Sequence, residues 1–299
     1  MKQRPLLLIV AMLFAQRRAY AQPALEPELA PGSAELQAFA HFGVTNAPFD
    51  MTTLKRAKGH AFVFLASGRY VLSPLLSLEL RAPFVLGSVA QPAGSYVDAG
   101  AFGNPQLGLR ATLLRRALPE SALLLSGMLE VGAPLASHDA DWLPNRVLAI
   151  ADGIEGRRHP EWFTPGVIPL TPSATARYWT VSWDLHAELR LPVLLRVSNA
   201  DLPRAWAEPR SLGLASIVGV GARYHLSRRF TVGAAAHLFF DVLPAVERLP
   251  GMSRVQDFER LSLELHLGAR ATLALDLQTA LAGALGGHTF GGGLRAGFK

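Results

Sequence analysis

Residues 261–278 read LSLELHLGARATLALDLQ. Every odd position is leucine or alanine. The even positions run Ser262, Glu264, His266, Gly268, Arg270, Thr272, Ala274, Asp276 and Gln278. A period of two sends successive side chains to opposite faces of an extended strand. The alternation lasts eighteen residues, whereas strands of globular proteins average about 5–6. Its surroundings must accept leucine along one whole face and acids, bases and histidine along the other.

The same pattern recurs. In LLSLELRAP (75–83), Leu76, Leu78, Leu80 and Ala82 oppose Ser77, Glu79 and Arg81. In WDLHAELRLP (183–192), Trp183, Leu185, Ala187, Leu189 and Leu191 oppose Asp184, His186, Glu188 and Arg190. In FTVGAAAHLFFDV (230–242), Val232, Ala234, Ala236, Leu238, Phe240 and Val242 oppose Thr231, Gly233, His237 and Asp241. A slip of one residue exchanges the two faces, so the pattern also sets register.

Bulk composition narrows the choice of solvent. Of 299 residues, 50% are hydrophobic and 17% charged, with a mean hydropathy of +0.23. Past the first twenty residues, no apolar run approaches the ~18 that a membrane helix needs. Hydrophobicity dispersed in this way is expected of a membrane β-barrel, whose lumen face is polar. A soluble sandwich or lipocalin-like barrel is the alternative. The length of the runs and the leader sequence weigh against it.

That leader is residues 1–21. Lys2 and Arg4 precede the apolar LLLIVAMLFA (6–15), and Ala19-Tyr20-Ala21 supplies a small-x-small cleavage site. Arg17 and Arg18 after the apolar core are atypical, and a single membrane anchor is the alternative. Cleavage after Ala21 lowers the basic total from 29 to 25, against 23 acidic residues. No basic patch interleaved with aromatics remains, so nucleic acid is not an expected partner. The absence of cysteine excludes disulfides, thiol catalysis and cysteine metal sites. Residues 22–35, rich in Pro, Ala and Glu, read as a flexible periplasmic lead-in. Residues 36–299 read as the barrel.

Hairpins repeat along this part. Gly108–Leu113, Gly221–Leu226 and Gly268–Leu273 share G-x-R-[AY]-[TH]-L, and Gly68–Ser73 is a shortened copy. Leu78-Glu79 to Pro83 and Leu129-Glu130 to Pro134 share L-E-x-x-x-P, with Ala187-Glu188 to Pro192 a weaker copy. Proline suits a rim where the ladder ends. Short connections near 72–74, 117–120 and 226–229 alternate with long ones near 88–103, 136–175, 193–211 and 243–257. Short turns on one side and long loops on the other is the outer-membrane arrangement. The expected fold is all-β, a transmembrane antiparallel barrel of about twelve strands. They fall near 36–46, 60–71, 75–87, 104–116, 121–135, within 143–153, 176–192, 211–225, 229–242, 257–271, 274–285 and 288–298.

The stretches SGRYVLSPLLSLELRAP (67–83) and GNPQLGLRATL (103–113) resemble transporter-like outer-membrane barrels of Gram-negative bacteria. So does the alternating last stretch HTFGGGLRAGFK (288–299). The resemblance covers most of residues 60–298. It implies an outer-membrane location, lipid as surroundings and a barrel-assembly machinery that recognises the closing strand through Phe298. Lys299 after that aromatic departs from the pattern. Some of that broad group move hydrophobic or aromatic compounds.

Parity then selects the functional candidates. Arg69, Arg110, Arg223 and Arg270 share a place in the repeat and point to the lumen near the short-turn side. Glu79, Glu130, Glu188 and Glu264 point to the same interior, as do His186, His237, His266 and Asp241. They form either a charged constriction that biases solute passage or a salt-bridge network that fills the barrel. One histidine per strand makes a metal site only if the heights agree, and no metal or cofactor is expected. Tyr70, Tyr224 and Trp183 suit an interfacial aromatic girdle.

The loop 137–175 reads as a solvated extracellular loop. Its Trp142, Trp162 and Phe163 have the option of folding over or into the mouth. Ser137, His138 and Asp139 are adjacent and do not converge as a triad does. Asp139, Asp141 and Asn145 lack the glycine of a helix-flanked calcium loop. GGHTFGGG (286–293) lacks the strand-to-helix setting of a phosphate loop. The expected function is a passive channel or transporter for small solutes, and not an enzyme. The alternatives are a filled structural or adhesive barrel acting through its loops, and a barrel-embedded lipid hydrolase. The last needs serine and histidine on adjacent strands of the outer face.

Overall fold

A computed structural model describes residues 31–45, 49–50, 55–56, 58–90, 94–136, 142–155, 157–198, 210–243, 255–267, 271–283, 285 and 288–298. The long strands are β1 (Ala34–Thr45), β4 (Gly59–Ser73), β5 (Leu76–Ala90), β7 (Gln106–Leu118), β8 (Ser121–Gly132), β9 (Val167–Thr180), β12 (Leu212–His225), β13 (Phe230–Leu243), β14 (Val255–His266), β15 (Ala271–Thr279) and β16 (Thr289–Phe298). Shorter pieces are β2 (Phe49–Asp50), β3 (Lys55–Arg56), β6 (Tyr96–Phe102), β10 (Trp183–Arg190) and β11 (Val193–Arg196). Two helices, α1 (Trp142–Ile154) and α2 (Pro160–Phe163), lie between β8 and β9.

All long strands pair antiparallel with their sequence neighbours, and β1 pairs with β16 to close the ring. Two staves are interrupted. β6 pairs with residues 84–90 of β5 while β7 pairs with residues 76–81, so β6 and β7 make one stave. β10 and β11 both lie between β9 and β12 and make another. The result is a closed barrel of twelve staves. Closure satisfies every ladder and leaves no bare edge to hydrocarbon.

The faces divide as parity demands. Leu261 is 61% exposed and Leu275 48%, while Glu264 is 6% and Asp276 0% exposed. The stretch 261–278 is a hairpin, with β14 and β15 joined across residues 267–270. Leu265 pairs with Leu273 and Leu263 with Leu275, so both staves keep their leucines outward. Leucine, valine or phenylalanine is exposed on the outside of every stave except β9, where Tyr178 is. In water each such side chain would forgo about 1.5–3 kcal/mol of burial. In a bilayer it costs nothing, and 12- to 15-residue staves such as β1, β4 and β5 exceed the roughly 9–11 residues a tilted strand needs to cross. Tyr70, Trp183 and Tyr224 fall at the short-turn rim. Trp183 and Tyr224 are in ring contact at 4.7 Å.

Three expectations need correction. The strand expected within 143–153 is the helix α1. The single strand expected at 176–192 is two, β9 and β10, joined at Val181-Ser182, where the Thr180 hydroxyl accepts from the backbone N–H of Ser182 and Trp183. The two errors cancel in the count of twelve. Prolines mark ladder breaks rather than the rim alone. Pro83 lies inside β5, where that strand changes partner from β7 to β6, and its carbonyl accepts from Gly103 N at 3.0 Å. Pro192 separates β10 from β11.

The long segment after β8 turns into the barrel. Val147, Leu148, Ile150, Ala151 and Ile154 are fully buried. Inward-facing Gly43, Gly59 and Gly87 leave the groove they occupy. A Cβ on Gly43 or Gly59 would collide with Ile154 or Ile150, and one on Gly87 would press on Val147. Trp162 and Phe163 join this core, so the loop's aromatics pack inside the barrel and are not solvated. Ser137, His138, Asp139 and Asp141, and the side chains of Trp142 and Asn145, lie outside the described residues. So do the leader and the lead-in as far as residue 30, and Arg270.

Candidate functional site

The lumen holds three adjoining cavities. One of about 430 Å³ opens among the short turns, between Ser73, Pro74 and Thr272. One of about 540 Å³ continues it upward to Glu155, Arg158, His159 and Trp162 of the inward segment. A side recess of about 260 Å³ opens between β12, β13 and β14. Ten arginines line the three, against five glutamates.

Most of the carboxylates lie behind the guanidiniums. Asp184 is fully buried and takes both Arg177, at 2.9 and 2.6 Å, and Arg223. Glu264 lies between Arg223 at 3.4 Å and Arg295 at 2.9 Å. Glu79 holds Arg110 and, at 3.1 Å, Arg81. Arg81 reaches on to Glu130 at 2.7 Å. Acids sunk in the wall therefore neutralise the stems, while guanidinium edges meet the water. Buried charge must be paired in this way, and the lumen surface is left cationic.

Eleven of the predicted lumen residues are described, and they face inward or sit in the inner wall. Arg69 hydrogen-bonds Ser77 at 3.1 Å and lines both large cavities. Arg223 and Arg69 sit near the short turns, lining the lower cavity. Arg110 is higher, midway along β7, so the repeat does not put its arginines at one level. Glu188 and His237 pair at 3.2 Å, and His266 bonds the Thr231 hydroxyl at 3.0 Å. His186 lines the lumen. Among the described residues no group of histidines and carboxylates converges as metal ligands. Asp241 lies near the upper end of β13, and Phe298 faces outward, 58% exposed.

Seven lining arginines were absent from the predicted set, among them Arg81, Arg158, Arg177, Arg190, Arg260 and Arg295. On the strands, lumen parity marks Arg81, Arg190, Arg260 and Arg295, but not Arg115, which follows a register shift between Thr112 and Leu114, or Arg177, which precedes the turn at Val181-Ser182. Arg158 carries no such mark, because it belongs to the inward segment. Two clusters fix that segment across the lumen. Glu155 pairs with His41 of β1 at 2.8 Å and Arg158 at 2.6 Å. A Cβ at Gly293 would overlap the His41 ring, so glycine there is what admits the imidazole. Glu161 pairs with Arg190, whose Nη1 also donates to His159 Nδ1 at 2.8 Å. Asn104, just before β7, donates to the carbonyls of Glu161 and Thr164 and accepts from Ala136 N, at 2.8–3.1 Å.

Charge in the segment is set by these partners. Burial alone would raise Glu155, but His41 and Arg158 outweigh it and hold the carboxyl down at about 2. Asp152 is pushed up to about 6 by burial, and Asp241 and Glu155 add repulsion that Arg157 does not cancel. His159 lies well below its ordinary value, through burial and then the nearby Arg190 and Arg158. It is a neutral ring stacked on Trp162 at 3.6 Å.

The outer face carries a polar row of His60, Ser88 and Asp98, on β4, β5 and β6. Ser88 Oγ donates to Asp98, and His60 packs on the rings of Phe42 and Tyr96. Serine is in the middle. Acyl transfer needs the imidazole between serine and acid.

A closed transmembrane barrel with a charged, water-accessible lumen defines the class of this chain. No protein-family model and no curated protein matches it in sequence. Solved structures match in shape. An outer-membrane channel from Pseudomonas putida F1 superposes with a TM-score of 0.64 at 15% identity, over 93% of this chain and 99% of that one. The NanC porin gives 0.51 at 7%, over 89% and 100%. The transport unit of the autotransporter AIDA-I from Escherichia coli gives 0.50 at 10%, over 97% of each. At these identities the likeness is one of fold, and the fold is that of outer-membrane β-barrels.

Proposed function

We propose that the chain is a passive outer-membrane channel for small solutes that favours anions. The observation that carries this is the lumen itself. Water-sized space runs from the short turns to the inward segment, and its surface is guanidinium with the acids sunk behind. A Debye length of about 8 Å at physiological salt is comparable to such a bore, so the wall charge acts on whatever passes. The lipid-facing belt and the likeness to outer-membrane channels support the location, with export through the leader cleaved after Ala21. The closing strand ending at Phe298 would be the segment offered to the barrel-assembly machinery, with outer-membrane lipid as the barrel's surroundings.

The test is planar-bilayer recording of refolded residues 22–299 in a KCl gradient. Stable openings with a reversal potential displaced toward chloride are expected. Arg69→Ala with Arg223→Ala should move that potential back toward zero. A heat-modifiable, folded barrel without conductance would overturn the channel. It would favour instead a filled structural barrel, to which the segment crossing the lumen lends itself.

A further inference from the structure

The side recess differs from the rest of the lumen. Its floor is Gly233 and Ala235 of β13, which carry a single methyl between them, with the Ala234 backbone joining them and its side chain turned outward. Register sets Arg223 of β12 beside Gly233, and Arg260 of β14 beside Ala235. Two arginines thus flank a strand that carries almost no side chain, about 9–10 Å apart from backbone to backbone, since adjacent strands are about 4.8 Å apart. A Cβ at Gly233 would strike Ser262 Oγ and press on Arg223. Glycine is what leaves the space. Arg177 and Arg295 close the ends, and His186 and Ser262 complete the lining.

Charge around the recess is unbalanced at one place. Arg177 and Arg223 share Asp184. Arg223 and Arg295 share Glu264, and Asp276 lies 3.8 Å from Arg295. Among the described residues Arg260 has no ion-pair partner. Arg223 Nε is buried without a hydrogen-bond partner. Among the described residues four guanidiniums face three carboxylates, so one further negative charge brings this set to neutrality. Guanidinium forks match planar carboxylates in two parallel bonds. Phosphate, at about −1.5 to −2 near pH 7, overshoots the charge. The cavity of about 260 Å³ holds roughly nine waters' worth of volume, at about 30 Å³ each, enough for an acid of a few carbons whose chain lies against Ala235.

We propose that this recess is a binding subsite for small organic carboxylates, set in the wall of the channel between Arg223 and Arg260. It rests on the channel reading for its role in passage, but its binding chemistry stands apart from conduction.

Calorimetric titration of the detergent-folded chain with sodium butyrate, at constant ionic strength, tests it. Sodium phosphate and butanol serve as comparison ligands, and bilayer recordings run in parallel. Saturable butyrate binding is expected, with no heat from butanol. Arg260→Gln and Ala235→Leu should each weaken binding at least tenfold, the first by removing a charge-assisted contact and the second by filling the recess at unchanged charge. The exposed Arg116, outside all three cavities, should tolerate Arg116→Gln with no change. Heat-modifiable migration checks each fold, and either variant alone decides the matter if the other misfolds. Butyrate binding that survives in a folded Arg260→Gln or Ala235→Leu overturns the site. Phosphate binding as tight as butyrate overturns the carboxylate assignment. Conductance without butyrate binding sinks the subsite and spares the channel. Binding without conductance supports the subsite and sinks the channel.

Discussion

Asp184 shows how much one carboxylate carries in this wall. It is fully buried and grips two arginines on neighbouring staves, β9 and β12. Removing it leaves two confined cations short of a partner, a change that typically costs about 3–5 kcal/mol. Asp184→Ala should lower the urea midpoint of unfolding accordingly and shift the reversal potential further toward chloride. Wild-type values for both would contradict the arrangement. Arg260→Met is expected to go the other way. It removes an unpaired charge, so stability should hold or rise while anion preference falls. The inward direction of Arg223, Arg260 and Arg295 was legible in the alternation of their strands, whereas a single strand over 176–192 would put Arg177 on the parity of Trp183 and Leu185. Their partners were not legible. Asp184 lies 39 residues from Arg223 and Glu264 31 from Arg295, and only ring closure and register bring them together.

At the scale of elements, the inward segment decides how open the lumen is. Asn104 ties it down through three hydrogen bonds, worth about 1 kcal/mol each, or more if an orphaned group stays buried. Asn104→Ala should loosen it and raise mean conductance, read in bilayers against wild type. Acidity acts on the same latch. Asp152 titrates near 6 docked but near its ordinary 3.8 when released, so its contribution is complete below 3.8 and is lost as pH rises from there to 6. Glu155 titrates near 2 docked and near 4.5 released, so its contribution is complete above that value and fades as pH falls toward 2. The two signs together leave docking firmest at about pH 4. Open probability should rise from about pH 4.5 to 6 and level off above that, and Asp152→Asn should flatten the rise. A wild-type rise preserved in Asp152→Asn would contradict the assignment. Sequence could not have shown this helix. VLAIA (147–151) is a short apolar run with no period to separate strand from helix, and its groove is made by Gly43, Gly59 and Gly87, far away in the chain. The β9–β10 turn was missed for a related reason. Val181-Ser182 lacks glycine or proline, and the Thr180 hydroxyl does their work.

For the whole molecule, the alternation in 261–278 has a direct physical meaning, with lipid on the leucine side and arginine-lined water on the other. The chain has no cysteine, so single cysteines report without background. The decisive measurement is the reaction rate of Ser262→Cys and Leu263→Cys, in liposomes, with an anionic and a cationic water-soluble thiol reagent of equal size. Residue 262 faces the recess between Asp276 and Gly233, and residue 263 lies on the leucine face. Reaction at 262 and not at 263, faster with the anionic reagent, is the predicted result. Equal reaction at both positions would mean that leucine faces water, and no reaction at 262 would mean a dry, filled lumen. Either contradicts the account.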